Sequence, residues 1–218
     1  MVMNFDDFLK AGNISSQARE YAKSIIKENV NVFDFVKKVE NKIFNLGGKL
    51  AFPVNVSFNA DAAHDTCDFK SNKVFESGEV VKIDLGAQVN GFVGDTAFTK
   101  EIKTNNYNDL IKASEKALSE ALKIIKPGIK LCEIGEVIGE TIKSFGFNPI
   151  SNLGGHGVGK YDLHSGVFIP NFNNGNKAKL ENNQTIAIEP FATTGKGRVV
   201  NSNVVKIFSL QQVRASRL

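Results

Sequence analysis

The chain has 218 residues, 42% hydrophobic and 23% charged, with 19 glycines and only 5 prolines, a composition that excludes collagenous, low-complexity and disordered classes and leaves room for a buried core. The net charge of +4 is unevenly spread, because the 29 residues after Glu189 contain no acid, only Lys196, Arg198, Lys206, Arg214 and Arg217. Those cations are scattered and lack interleaved aromatics, so they read as a solvated end rather than a nucleic-acid surface.

The opening Met1-Val2-Met3-Asn4-Phe5-Asp6-Asp7 carries acids where a secretory signal carries a basic region, and no apolar run reaches the roughly 18 residues of a membrane span. A soluble, cytoplasmic protein without membrane contact is expected, with Cys67 and Cys132 as free thiols.

From about residue 7 to 46, apolar residues recur every three or four positions, interrupted at Glu28-Asn29, which predicts two amphipathic helices ending at a glycine. The same pattern returns from about 107 to 145, interrupted at Pro127-Gly128. Displacing the sequence by 99 positions superposes Ala18 on Ala117, Ala22 on Ala121, Ile25-Ile26-Lys27 on Ile124-Ile125-Lys126, Ile43 on Ile142 and Gly47 on Gly146 without a gap. An internal repeat over about 17–47 and 116–146 follows.

Strands are expected at 50–59, 80–85 and 92–99 after the first helix pair, and at 184–189 and 199–208 after the second. Asn90-Gly91 marks a two-residue hairpin, since both positions of that turn need positive φ. With strands of one half pairing with those of the other, the expected architecture is an α+β fold, two helix pairs backing a shared antiparallel sheet, in a single domain over 1–218.

Chemistry concentrates on few residues. Asp84 ends the β-branched run Val80-Val81-Lys82-Ile83 and Asp95 lies across the hairpin turn, so a bulge or register offset would bring both carboxylates to one face. Packed together they repel and raise each other's pKa unless a cation intervenes; the competing reading is two exposed turn aspartates. His64, His156 and His164, the three histidines of the chain, all sit in strand-to-loop segments, His156 among four glycines. Glu189 ends a second apolar strand, Thr185-Ile186-Ala187-Ile188. Oxygen ligands with one imidazole suit Mn, Fe, Co or Zn, and a pair of such ions suits hydrolysis.

The segments Phe52-Pro53-Val54-Asn55-Val56-Ser57, Ala62-Ala63-His64, Lys82-Ile83-Asp84-Leu85-Gly86, Asp95-Thr96-Ala97, Gly155-His156 and Ala187-Ile188-Glu189-Pro190-Phe191-Ala192 together resemble the methionine aminopeptidases of the pita-bread fold. The eight-residue spacing of His156 and His164 is similar to the type 2 enzymes of archaea and the eukaryotic cytosol. The resemblance implies a metallopeptidase that removes the initiator methionine from nascent chains by means of two divalent ions (Co, Mn, Fe or Zn). It implies Asp84 on one ion, Asp95 bridging both, and His156 with Glu189 on the other. Glu189 would also shuttle the proton, and His64 and His164 would flank the scissile peptide, with Phe52 and Phe58 as candidates for the methionine pocket.

The implied partners are nascent polypeptide N-termini and the ribosome. The resemblance also implies a fifth ligand, a glutamate on a late strand after a helical insert. No acid follows Glu189, so the expectation is a chain lacking that part, weakly active alone, with a separate C-terminal fragment supplying the ligand. Two further departures are Cys67 in place of the usual proline and the glycine-rich Gly157-Val158-Gly159. The competing functions are a non-catalytic pita-bread module that binds RNA or the ribosome, which four intact ligands disfavour, and a prolidase-like dipeptidase, which the histidine spacing disfavours.

Overall fold

The structure is a computed structural model that describes residues 5–208. Helices α1 (Phe5–Ile25) and α2 (Val32–Asn45) precede strands β1 (Lys49–Phe58), β2 (Val80–Val89) and β3 (Phe92–Glu101). Helices α3 (Asn108–Ile124) and α4 (Leu131–Ser144) follow, and then the short strands β4 (Asn148–Pro149), β5 (Gly154–Gly157), β6 (Phe168–Pro170), β7 (Ile186–Ala187) and β8 (Ala192–Thr193). Among the described residues no helix is long and apolar enough to cross a membrane. Both cysteines are free thiols.

The helix boundaries keep the 99-residue displacement. α1 and α3 end at Ile25 and Ile124, while α2 and α4 correspond at both ends. The turns correspond too, with left-handed backbone at Asn29 and Gly128 (φ 65° and 87°) and at Gly47 and Gly146 (φ 84° in both). Each half also gathers its own core: Phe35, Val39, Ile43, Val56, Ile83 and Leu85 in the first, Leu131, Ile134, Ile138, Ile142 and Ile169 in the second.

β2 pairs with both β1 and β3, and β5 with both β6 and β7, every ladder being antiparallel. The ladders therefore stay within their halves among the described residues, in three hydrogen-bonded pieces rather than one continuous shared sheet. The segment 199–208 departs from its expected strand as well, having no regular structure. β-branched residues favour a strand only where a neighbour completes the ladder, and the backbone of Val199 bonds instead to the side chain of Asn152.

What sets the first sheet in place is the small-residue face of α1. Ala11, Ile14, Ser15, Ala18 and Ala22 are its buried positions, and they let the helix backbone come down on β3. A methyl group at Gly94 would lie 2.6 Å from the backbone of Ala11 and Gly12. Ser15 Oγ lies 2.9 Å from Gly94 O and accepts from Ala87 N–H at 3.0 Å, tying α1 to β2 and β3 just behind the two aspartates. Gly94→Ala is accordingly expected to cost about 1–3 kcal/mol in thermal denaturation, through a forced backbone shift. Gly12→Ala, where added bulk meets nothing within 4 Å, should instead stabilise by about 0.5–1 kcal/mol.

Candidate metal centre

The Asn90-Gly91 turn has φ of 51° and 89° and closes β2 on β3 with Val89 opposite Phe92. Counting back, Asp95 faces Gly86 and Asp84 faces Ala97, so the two aspartates are diagonal neighbours on one face. No bulge is needed, since the β2–β3 ladder runs without a register shift and the shifts fall in β1, around Pro53. Asn55 of β1 is opposite Asp84, with its Nδ2 3.5 Å from Asp84 Oδ2.

The second half delivers the other two groups. β5 can approach β7 because Gly155 has no side chain: a methyl group there would sit 2.2 Å from Ala187 O. That closeness pairs His156 with Ala187 and brings its Nε2 2.8 Å from Glu189 Oε1 and 3.6 Å from Asp95 Oδ2. Ligand atoms of Asp95, His156 and Glu189 lie within 4.8 Å of one another, and Asp84 joins through a carboxyl–carboxyl contact with Asp95.

His156 Nδ1 is 3.0 Å from Gly157 O, which assigns a proton to Nδ1 and leaves Nε2 facing the carboxylates, as a donor when the ring is charged and as a lone pair when it is neutral. Asp84 Oδ1 is buried without a hydrogen-bond partner, and the buried Glu189 Oε1 has His156 Nε2 2.8 Å away. Three carboxylates thus converge with a single imidazole to share among them. A divalent cation fits this donor set.

The titration of the cluster reflects the same crowding. Burial, then the charge of Glu189, pushes Asp84 up to about 7. Burial, then Asp84 and Glu189, pushes Asp95 up to about 8. Burial favours the neutral form of His156, but Glu189, the Gly157 carbonyl and Asp95 together outweigh it and raise the imidazole to about 9.

A cavity of about 290 Å³ opens on this cluster and is shared by His64, His156, His164 and Glu189. The His156 and His164 rings meet edge-on at 4.5 Å. Burial, followed by the nearby His156 and His64, holds His164 below the usual histidine range. Leu153, Val167, Phe168 and Phe191 form the apolar wall. Phe52 and Phe58 do not line it: Phe58 packs on Phe75 beneath Lys73, and Phe52 lies against Gly86. Asn55 and the wall residues carry no sequence signal of their own, apart from Phe191 standing two places after Glu189.

The sequence pattern of metallopeptidase family M24 matches residues 6–209. The methionine aminopeptidase of Methanocaldococcus jannaschii is 42% identical over 217 residues, which cover 100% of this chain and 74% of that protein. Among solved structures, the methionine aminopeptidase of Thermotoga maritima superposes with a TM-score of 0.83 at 31% identity, covering 93% of this chain and 86% of that one. The prolidase of Pyrococcus furiosus superposes with a TM-score of 0.75 at 26% identity over 85% of this chain and 55% of its own.

Proposed function

The chain belongs to metallopeptidase family M24, is a metal-dependent aminopeptidase of pita-bread fold, and on that premise we propose that it releases the N-terminal methionine of nascent polypeptides. The observation that carries this reading is the convergence of Asp84, Asp95, His156 and Glu189, with Asp84 Oδ1 buried and unpartnered, beside a cavity that has both an apolar wall and two further histidines.

In this reading Asp95, His156 and Glu189 hold one divalent ion, and Asp84 with Asp95 holds a second. Bound there, divalent metal supplies Lewis acidity and acidifies water enough for attack at neutral pH. Glu189 takes a proton from the attacking water and returns it to the departing amine. The methionine side chain lies against Phe168, Phe191 and Leu153. His64 and His164 flank the scissile peptide, one toward the amide nitrogen and the other toward the carbonyl; His164, favoured in its neutral form, has an N–H to offer the carbonyl oxygen.

The second ion has only two carboxylates among the described residues, so two binding steps are expected when Mn or Co is titrated into the chain, the second much weaker. Release of methionine from Met-Ala-Ser should follow occupancy of that second step, with Ala-Ala-Ser uncleaved. Cleavage of Xaa-Pro dipeptides in preference to Met-Ala-Ser would overturn the assignment in favour of a dipeptidase.

A further inference from the structure

His64 stands in left-handed backbone, φ 59°, a conformation that crowds a residue with a β-carbon and persists only where neighbours enforce it. On the β1 side the neighbours are clear. Val56 N–H donates to Asp65 O at 2.7 Å and Thr66 Oγ1 to Val54 O at 2.9 Å. The other side is closed by a residue from the far end of the described chain: Lys206 Nζ lies 3.0 Å from Asp65 Oδ1 and donates to Thr66 O at 3.2 Å. Asp65 Oδ1 also accepts from Thr66 N–H at 2.9 Å, so one oxygen ties the turn and the lysine together. Cys67, the next residue, leaves this turn without the fixed φ that a proline would impose.

The segment that carries Lys206 has a second attachment. The Asn152 side chain bonds to Val199 in both directions, each at 2.9 Å, and Asn152 lines the cavity as His64 does. The stretch from 199 to 206 therefore joins two parts of the cavity rim. We propose that Lys206 is a positioning residue for His64, fastening the Asp65–Thr66 turn so that the imidazole is held toward the cavity. The fastening itself rests on these contacts; its catalytic consequence rests on the role given to His64 above.

The test is amide hydrogen exchange over 62–68 in the whole manganese-loaded chain, alongside kcat and KM for Met-Ala-Ser. Lys206→Met should speed exchange there about fivefold, the order expected for one half-buried, hydrogen-bonded ion pair, and should lower kcat by a similar factor with KM and manganese affinity unchanged. Lys206→Arg, which keeps a charged donor for Asp65 and Thr66, should behave as wild type. Unchanged exchange at 62–68 in a folded Lys206→Met variant overturns the proposal. A wild-type chain that releases no methionine would instead remove the reading of the site, while the exchange result still decides whether Lys206 fastens the turn.

Discussion

Replacing Glu189 by glutamine should lower kcat/KM for Met-Ala-Ser by roughly 10³–10⁵ while leaving the chain folded. Two losses combine in that one change. Glutamine offers a neutral, weaker oxygen to the ion shared with Asp95 and His156, and it cannot take a proton from water, a role worth roughly 10²–10⁴ by itself. The fold is spared because Glu189 stands just beyond β7 (Ile186–Ala187), and a glutamine amide oxygen can still face His156 Nε2 there. Turnover and bound metal, measured on the same preparation, separate the two losses. A variant that keeps stoichiometric metal but no turnover isolates the proton transfer, and one with wild-type turnover would exclude Glu189 from the reaction.

The metal-free chain should lose stability steadily as pH rises from about 4 to 9, and divalent metal should reverse the trend. Asp84 and Asp95 keep their protons in the fold up to about 7 and 8, whereas in the unfolded chain an aspartate releases its proton near 4. Between those limits the native state binds more protons, so unfolding becomes easier with each pH unit, by about 1.4 kcal/mol for every proton of difference. His156, raised to about 9 from an unfolded value near 6.5, contributes with the same sign over its own interval. With an ion bound, these groups serve as deprotonated ligands; binding then releases protons and strengthens as pH rises. Thermal unfolding at pH 5 and pH 8, with chelator and with manganese, is the measurement. A metal-free melting temperature that is flat or rising over that span would mean that the carboxylates do not share a buried site.

Much of this arrangement is legible in the sequence because it depends on local rules. Asn90-Gly91 determines the hairpin turn, the turn determines the pairing, and pairing determines that Asp84 and Asp95 share a face. The helix ends follow from apolar spacing and from glycine or asparagine at the turns, hence the correspondence at 99 residues. What was not legible depends on distant groups. That His156 reaches Glu189 is decided by the absence of a side chain at Gly155, opposite Ala187 O. The apolar wall of Phe168 and Phe191 comes from the start of the three-residue strand β6 and the residue before β8, elements too short for periodicity to describe. The segment 199–208 has strand-forming residues but no strand beside it, so its propensity is not expressed.

Each half of the molecule carries its own core and closes its own strand ladders, yet the cluster draws Asp84 and Asp95 from one half and His156 and Glu189 from the other. An ion held there would be a cross-link between them, added to direct contacts such as Tyr161 N–H to Gly91 O and Lys206 to Asp65. Chelation should therefore do more than stop turnover. It should loosen the coupling between the halves, so that unfolding broadens or divides into two steps, and metal should restore a single sharp transition. The reaction centre would then double as one of the ties between the two repeats.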